Sequence, residues 1–341
     1  MQVLVTGANG HIGFNLCKEL IARGHTVRAA VRPPADSGKI APLRALGRIE
    51  VVEADLYRPE QLRAAMVGID LFFHLAAVYA YVVPPRRAEE EVVRPSLEGA
   101  TNAIRAAADA KVPKIVLTSS VVVLPLTKPG APPSTEDDWT EDLQLPYIRA
   151  KTLAERRAWE LARELKVNLV TVLPGAVCGP GFVRNTPSID VFEGIMLGTM
   201  RMGVPDANLP CVDVRDVVSA HVLAGEKDCA GRFVVCNDHL PSFRELVETM
   251  HAIDRQIPLA KSTIPTFMMG AAPFFDWLNH KLTGSPRVMT PELISTVRGK
   301  IWNASNARIK RELGWSQTIP IETSLRDMIE TIKTNRAARA A

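Results

Sequence analysis

A tyrosine and a lysine stand four residues apart, at Tyr147 and Lys151, and a serine precedes them at Ser120. On a helix, residues at this spacing share one face, so the two side chains would be neighbours. A phenol with a pKa of about 10 exchanges protons poorly at neutral pH, but a nearby ammonium would lower that pKa. A serine hydroxyl could hydrogen-bond a substrate carbonyl. These three residues predict proton transfer to or from a carbonyl or alcohol.

Three glycines, Gly7, Gly10 and Gly13, follow a short apolar run at the start of the sequence and precede a helical pattern. A glycine turn between a strand and a helix lets the backbone approach a pyrophosphate, and the helix N-terminus offers N–H groups to phosphates. His11 and Ile12 lie within this turn and are predicted to contact the cofactor with the glycines. Together with the proton-transfer residues, the turn predicts hydride exchange with a nicotinamide dinucleotide.

The end of the second predicted strand indicates which dinucleotide is bound. NAD selection there normally uses an Asp or Glu for the ribose hydroxyls, whereas this strand carries no acid and is followed by Arg32. A guanidinium suits a 2′-phosphate, and Lys39 is close enough in sequence to help. The sequence therefore predicts NADP (NADPH). Two alternatives are that Arg32 is only a solvated loop cation and that Asp36 binds the ribose.

Short β-branched runs alternate with helical patterns through the first half of the chain, as in the βαβ units of a parallel sheet. The patterns predict strands at 3–6, 27–31, 50–52, 71–75, 115–119, 169–173 and 233–236, and helices at 12–23, from about 59, at 97–110 and at 147–165. The predicted fold class is α/β, a doubly wound Rossmann parallel sheet with a smaller C-terminal α/β substrate lobe. Ser120 would lie at a strand end, where such sheets bind ligands.

Two discontinuous units are predicted from this alternation. The NADP-binding Rossmann domain comprises residues 1–176 plus about 213–238. The substrate-binding lobe comprises 177–212 plus 239–341, where prolines and glycines first increase and the alternation becomes irregular. The apolar stretch at 267–278 is too short to span a bilayer and predicts a buried or pocket-lining helix.

Composition excludes several functional classes. The 341 residues carry a formal net charge of +4, with 47% hydrophobic and 23% charged residues, which is ordinary for a globular protein. The basic residues are scattered, so no nucleic-acid partner is expected. The five cysteines form no C-x-x-C motif, and the histidines lack metal-ligand spacing, so neither a disulfide framework nor a metal site is predicted. A cytoplasmic protein without a signal peptide or a membrane span is expected.

Longer motifs around these residues resemble the extended short-chain dehydrogenase/reductase family over nearly the whole chain. The motifs are V-L-V-T-G at 3–7 with the glycines to 13, D-L at 55–56, H-L-A-A at 74–77, L-T-S-S at 117–120, Y-I-R-A-K-T-L-A-E at 147–155, and the segments 174–180, 212–217 and 312–315. The stretch from about 240 to 300 matches least.

The resemblance implies roles for individual residues. Ser120, Tyr147 and Lys151 would form the catalytic triad, with Ser120 preferred over Ser119, and Tyr147 and Lys151 would also contact the cofactor. Further cofactor contacts are implied along its length, namely Asp55 and Leu56 at the adenine, Ala76 and Ala77 at the centre, and Pro174 and Val177 at the nicotinamide edge.

Two branches of the family fit the chain differently. Nucleotide-sugar epimerases and dehydratases usually carry an Asn in an N-V-x-G-T pattern, where this chain has Ser96 within R-P-S-L-E-G-A at 94–100. That form resembles the branch of dihydroflavonol reductases, cinnamoyl-CoA reductases and aldehyde reductases. The missing Asn removes an anchor that holds a proton-relay water elsewhere in the family, so a relay here would need another route.

The sequence therefore predicts an NADP-dependent oxidoreductase that reduces a ketone or aldehyde, or oxidises the secondary alcohol. Apolar segments, with Tyr79 and Tyr81 as candidate substrate contacts, suit a small molecule with a hydrophobic or aromatic body. The resemblance also implies a homodimer through the helices at 97–110 and 147–165.

Two other functions stay open. One is a nucleotide-sugar epimerase or dehydratase with recycled NAD(P), for which Arg184, Arg201 and Arg287 could bind the diphosphate. The other is a non-catalytic NADP-binding protein, since a fold alone does not guarantee chemistry.

Overall fold

The computed structural model describes residues 1–34, 37–81, 83–283 and 290–340. Asp36 and Arg287, which the sequence offered as alternative ligand contacts, lie outside these ranges. The strands are β1 (Gln2–Thr6), β2 (Thr26–Val31), β3 (Ile49–Glu53), β4 (Leu71–His74), β5 (Lys114–Thr118), β6 (Asn168–Pro174), β7 (Ala176–Cys178), β8 (Val204–Pro205), β9 (Cys211–Asp213), β10 (Gly231–Val235) and β11 (Thr263–Ile264).

Helices connect the strands and form the outer layers. They are α1 (His11–Ala22), α2 (Ser37–Arg44), α3 (Pro59–Ala65), α4 (Pro85–Ala88), α5 (Arg94–Asp109), α6 (Pro146–Leu165), α7 (Pro187–Met196), α8 (Val214–Glu226), α9 (Phe243–Ile253), α10 (Ala272–Thr283), α11 (Pro291–Val297), α12 (Ala307–Leu313) and α13 (Ile321–Ala340). A π-helical segment (Glu89–Val93) joins α4 to α5, and short 3₁₀ turns span Val121–Val123 and Met268–Ala271.

Seven parallel strands form the central sheet in the order β10-β6-β5-β4-β1-β2-β3. The inner strands β1, β4, β5 and β6 are almost entirely buried, because helices cover both faces of the sheet, whereas the edge strand β3 is partly exposed. The core on one face includes α1 and α8, and the core on the other includes α3, α5 and α6. The strand order reverses between β1 and β4, and this switch point is where open α/β sheets bind ligands. The predicted doubly wound Rossmann sheet is confirmed.

The seventh strand arrives late in the sequence, as predicted. β10 pairs in parallel with β6, placing Phe233 opposite Val172, so it extends the first sheet at its edge. The sequence analysis missed α2, which carries Pro42 inside the helix. It also missed α8, although Asp213 caps that helix by accepting the Arg215 N–H.

A second hydrophobic core lies outside the central sheet. It combines side chains of α7, α9 and α13, including Phe192, Met250 and Ile329. Two two-stranded sheets, β7 with β9 and β8 with β11, contribute short parallel pairs. This core supports the predicted smaller lobe, whose exact boundaries stay a prediction.

The prediction of a buried or pocket-lining helix at 267–278 is wrong for most of its large side chains. Phe267, Phe274, Phe275, Trp277 and Leu278 are each between 38% and 74% exposed. The reason is the helical phase of α10, since Ala272, Pro273 and Asp276 lie on its less exposed side and the aromatic residues lie on the other.

Candidate active site

A cleft of about 770 Å³ opens at the C-terminal ends of the central strands. It begins at the turn after β1, crosses the ends of β2, β4 and β5, and reaches the second turn of α6. Most of the predicted cofactor contacts line this cleft, namely Gly7, Gly10, Arg32, Lys39, Asp55, Leu56, Ala76, Ala77 and Lys151. The cleft therefore gathers residues from five separate motifs of the sequence.

The backbone of the glycine turn leaves no room for a side chain at Gly7 or at Gly13. Gly7 has a φ of +69°, and a Cβ there would lie 2.8 Å from the Ala76 nitrogen. A Cβ on Gly13 would lie 2.2 Å from the Gly7 carbonyl oxygen. The turn thus brings the first turn of α1 close to the cleft, and the N-cap Gly10 carries no side chain that could occupy the helix N–H groups. This cradle fits the pyrophosphate of a dinucleotide.

Four cations line the cleft, namely Arg32 after β2, Lys39 on α2, Lys151 on α6 and Arg184 from the segment before α7, together with the carboxylates of Asp55 and Glu155. Beside them, the Asp55 carboxylate accepts the Tyr57 N–H at 3.0 Å and the Tyr57 hydroxyl donates to the Pro95 carbonyl oxygen at 3.2 Å. These bonds order the loop that follows β3. The cations outnumber the carboxylates, and such an excess of charge in a cleft raises the local concentration of oppositely charged ligands. The arrangement fits a ligand with several phosphates.

The predicted catalytic residues meet beyond the end of β5. Helix α6 begins at Pro146, which suits the first helical position, and carries Tyr147 and Lys151 on successive turns. The Lys151 Nζ donates to the Thr118 carbonyl oxygen at 3.2 Å. The Ser120 side chain begins the 3₁₀ turn by accepting the Val122 N–H at 3.4 Å, and its hydroxyl also acts on Tyr147, whose pKa it lowers.

Burial raises the pKa of Tyr147 well above its usual value, which corrects the expectation that Lys151 lowers it. Desolvation is the largest cause, neighbouring Tyr79 and Tyr81 raise the pKa further, and the hydrogen bond with Ser120 lowers it. The phenol is only 5% exposed, so its ionised form loses most of its hydration. Tyr147 is therefore a neutral phenol at pH 7 in this structure.

Lys151 is shifted in the opposite direction. Burial lowers its pKa from 10.5 to about 8, and the charge of Glu155 raises it. His74, which also lines the cleft, has its pKa lowered to about 3 by burial and by the Lys151 charge. Its Nδ1 bonds the Thr6 hydroxyl at 2.8 Å, so His74 is a neutral hydrogen-bonded side chain.

Two further tyrosines cover Tyr147. The ring centroid of Tyr81 lies 4.5 Å from that of Tyr147, and the centroid of Tyr79 lies 5.0 Å away. The Tyr79 hydroxyl bonds the Ser188 hydroxyl of α7 at 2.7 Å, so this cluster connects the loop after β4 to the smaller lobe. The two candidate substrate residues therefore stand directly against the predicted proton donor.

Other predicted cofactor residues lie behind the cleft wall. His11 is buried and bonds the Pro180 carbonyl oxygen at 3.0 Å, and burial lowers its pKa to about 4. Ile12 packs against the hydrophobic core on the face of the sheet that α1 covers. Gly13 lies against the Gly7 backbone inside the turn. Pro174 and Val177 are buried at the end of β6 and in β7. Their contacts with a cofactor stay predictions.

The sequence analysis assigned no cofactor or catalytic role to several polar residues of the cleft. Tyr57 and His74 line it, as does Glu155, one helical turn after Lys151. Arg184 had been considered only for a sugar diphosphate. The signal for Glu155 was available, because a carboxylate at i+4 from a lysine lies on the same helix face. Tyr57 and Arg184 come from loops whose approach to the cleft has no sequence signature.

Within the described part of the chain, no cluster of three or more His, Cys, Asp or Glu residues could hold a metal ion. The described helices also include none with the length and hydropathy that crossing a membrane requires.

The chain belongs to the NAD dependent epimerase/dehydratase family, whose model matches residues 3–236. Within it, the chain belongs to the extended short-chain dehydrogenases/reductases of the dihydroflavonol reductase and cinnamoyl-CoA reductase type, as the sequence predicted. It is 35% identical over 273 residues to cinnamoyl-CoA reductase 1 of Arabidopsis thaliana, covering 75% of this chain and 76% of the relative. It is 33% identical over 263 residues to tetraketide alpha-pyrone reductase 2 of the same plant, covering 73% and 81%.

Solved structures share the fold over almost the full length. The crystal structure of gox2253 superimposes with a TM-score of 0.82 at 28% identity, covering 97% of this chain and 98% of that one. Vestitone reductase from alfalfa (Medicago sativa L.) gives a TM-score of 0.71 at 21% identity, covering 98% and 99%, and shows the fold alone.

Proposed function

We propose that the protein is an NADP-dependent oxidoreductase that reduces a ketone or aldehyde of a hydrophobic or aromatic small molecule, or oxidises the corresponding secondary alcohol. One observation carries the proposal. A dinucleotide-sized cleft ends at Lys151, on the helix whose preceding turn holds Tyr147 beside Ser120. The names of the similar plant reductases agree with this chemistry.

The glycine cradle would hold the pyrophosphate of NADPH, and Arg32 and Lys39 would hold its 2′-phosphate. Both cations line the cleft, Arg32 directly after β2 and Lys39 on α2, and β2 itself (Thr26–Val31) carries no acidic side chain for the NAD ribose. Asp55 and Leu56 would contact the adenine, and Ala76 and Ala77 the centre of the cofactor. When bound, NADPH supplies the hydride for the carbonyl carbon.

The protein's own residues would supply the proton and the orientation. The Ser120 hydroxyl would hold the substrate carbonyl, and the Tyr147 hydroxyl would donate its proton to the carbonyl oxygen. A raised pKa suits this direction, because the phenol must carry its proton before it can give it away. The Lys151 ammonium would bind the nicotinamide ribose and stabilise the phenolate left by the transfer.

Tyr79 and Tyr81 support a hydrophobic or aromatic substrate. Their rings pack on Tyr147, so a substrate carbonyl that reaches this phenol must come into contact with aromatic faces. Aromatic pairs gain about 0.5–1.5 kcal/mol beyond the area that they bury. A planar apolar body would therefore bind here better than a free sugar.

A nucleotide-sugar epimerase or dehydratase is the second candidate, favoured by the presence of Arg184 in the cleft. Arg201, the other described arginine considered for a diphosphate, is exposed and is not among the residues that line the cleft. The proposal includes a homodimer through α5 and α6, which light scattering would test.

The decisive experiment measures NADPH absorbance with a panel of flavonoid-like, cinnamoyl, steroid and short aliphatic carbonyls. We expect net NADPH consumption with an apolar member, abolished in Tyr147→Phe and retained in Glu160→Gln, an exposed change on the same helix. Isomerisation of a nucleotide sugar without net cofactor change would support the second candidate. NADPH binding without turnover, unaltered in Tyr147→Phe, would support a non-catalytic protein.

A further inference from the structure

Glu155 is a buried carboxylate behind the predicted catalytic residues. It lies one helical turn after Lys151 on α6 and is 1% exposed. Its oxygens accept hydrogen bonds from the Ser119 hydroxyl at 2.5 Å, the Thr171 hydroxyl at 2.8 Å and the Trp159 indole at 3.4 Å. A buried carboxylate is costly unless it is paired and hydrogen-bonded, and these three donors offset part of that cost.

The cation that pairs with Glu155 comes from the last strand of the sheet. The Arg232 Nε donates to Glu155 at 2.9 Å, and both side chains are buried. The Arg232 guanidinium also donates to the carbonyl oxygens of Glu136 and Asp138, and lies 3.7 Å from the centroid of the Trp139 ring. The pair therefore fixes α6 against β10 and against the loop that precedes α6.

These bonds reach the proton-transfer residues through two neighbours. The Ser119 hydroxyl donates to Glu155, whereas the next hydroxyl along the chain, that of Ser120, lowers the pKa of Tyr147. The Glu155 charge also acts on Lys151, whose pKa it raises against the lowering effect of burial. The Glu155 carboxylate thus acts both on Ser119, which follows β5, and on Lys151.

Few other charged groups face Lys151. On β4, His74 is held neutral by burial, and on the far wall of the cleft Arg184 carries a positive charge. Tyr147, one turn earlier on α6, is a neutral phenol. The acids of the π-helical segment that packs on α6 form outward ion pairs, Glu89 with Arg149 and Glu91 with Arg87. Glu155 is therefore the anion that acts on Lys151 among these groups.

We propose that Glu155 is a positioning residue that fixes Ser119 at the strand end and provides the counter-charge that keeps Lys151 an ammonium at working pH. The inference rests on the proposed function, because it gives Lys151 its role beside the cofactor and the phenol. Glu155 touches neither substrate nor reacting atoms, and acts through its neighbours.

The test compares Glu155→Gln with wild type across pH. The amide keeps the volume and one acceptor oxygen but removes the charge. We expect the alkaline limb of kcat/KM for NADPH-dependent reduction to move to lower pH by about one to three units. The dissociation constant of NADPH, measured by fluorescence without turnover, should begin to rise at a correspondingly lower pH. Glu160→Gln, an exposed change on the same helix, should leave both profiles at their wild-type positions.

Two more variants keep the test decisive if Glu155→Gln leaves Arg232 unpaired and unfolds. Glu155→Gln with Arg232→Gln removes both buried charges and should shift the alkaline limb in the same direction but less far, because a cation is lost together with the anion. Ser119→Ala removes only the hydroxyl and should lower kcat while the alkaline limb stays in place. Wild-type pH profiles in a folded charge-removed variant would overturn the proposal. If wild type reduced no carbonyl, the proposed function would fail, and the NADPH binding profiles would still decide the role of Glu155.

Discussion

The two ends of the cleft recognise their ligands by different means. At the β1–β2 end, backbone and long-range charge dominate, with the glycine turn, Arg32 and Lys39 around an open space. At the β5–α6 end, the Tyr147 phenol is 5% exposed beneath two tyrosine rings. The first end is preformed for a phosphate-bearing cofactor. In the second, the closed end, the rings of Tyr79 and Tyr81 cover the phenol, so a substrate of the proposed reaction would have to contact or displace these rings.

The contrast predicts that changes at the two ends separate kinetically. Substitutions at the open end should alter cofactor affinity, and substitutions at the closed end should alter turnover or substrate affinity. Variants that mix the two effects would show that the ends are coupled.

The largest expected effect is that of Lys151→Met. Loss of the ammonium should lower kcat/KM by about 10²–10⁴-fold, the usual contribution of a positioned proton-transfer group. The same change should raise Tm near pH 7. The pKa of Lys151 is lowered from 10.5 to about 8, so its charged form is disfavoured in the folded protein, and an apolar side chain removes that cost.

Steady-state kinetics of Lys151→Met measure the expected fall in kcat/KM, and calorimetry of the same variant measures the expected rise in Tm. About 2–4 °C in Tm is expected for each kcal/mol recovered. Lys166→Met, at the end of the same helix, is the matched control and should change neither quantity to that extent. A fall in Tm with Lys151→Met would mean that the ammonium stabilises the fold.

Arg32→Ala should give the next largest effect. A charge-assisted hydrogen bond to phosphate contributes about 1.5–3 kcal/mol, so NADPH affinity should fall about 10–100-fold while NADH affinity changes little. Fluorescence titration with both cofactors measures the difference, with exposed Arg48→Ala as the control. An equal loss for both cofactors would remove Arg32 from 2′-phosphate recognition and reopen the choice between NAD and NADP.

Tyr81→Ala should have a smaller effect, confined to the closed end. The lost stacking predicts a KM about two- to tenfold higher for an aromatic substrate, with unchanged NADPH affinity. Tyr81→Phe keeps the ring and should retain the wild-type KM. If Tyr81→Ala lowered KM, the ring would be an obstacle to the substrate rather than a contact for it.

The last expected effect is a loss of stability in acid. Burial lowers the pKa of His221 from 6.5 to about 4, and its ring nitrogens bond the Thr118 hydroxyl and the Val217 carbonyl oxygen. Below pH 6.5 the unfolded chain binds a proton that the folded protein refuses, so stability falls by up to about 1.4 kcal/mol per pH unit until about pH 4.

Tm measured from pH 8 to pH 5 should therefore decline less steeply in His221→Gln than in wild type. Exposed His239→Asn should keep the wild-type slope. Identical slopes in wild type and His221→Gln would assign the acid limb to other groups.

The sequence predicted the open end of the cleft better than the closed end. The glycine turn, Arg32, Asp55 and Ala76 follow buried strands, and parallel strand ends meet at one edge of a sheet, so their convergence follows from the alternation of strands and helices. Serine, tyrosine and lysine could be grouped for the same reason, since Ser120 follows β5 and α6 leads into β6.

Tertiary packing decided what the sequence could not predict. The i,i+4 spacing of Tyr147 and Lys151 suggested a lowered phenol pKa, but Tyr79 and Tyr81, from a distant loop, bury the phenol and reverse the direction. The apolar composition of α10 predicted burial, but composition does not determine which side of a helix faces the protein. Glu155 forms an ion pair with Arg232 of β10, and only the folded sheet brings these two residues together.

Because β10 comes late in the sequence, its position determines which fragment of this protein could fold independently. A fragment that stopped after β6 would leave Asn168–Pro174, almost wholly buried in the intact chain, as an open sheet edge. Exposed apolar edges template pairing with other chains. Such a fragment would also leave the Glu155 carboxylate without its ion-pair partner, the Arg232 guanidinium. During synthesis the central sheet lacks the edge strand beside β6 until the ribosome has translated β10, which ends at Val235.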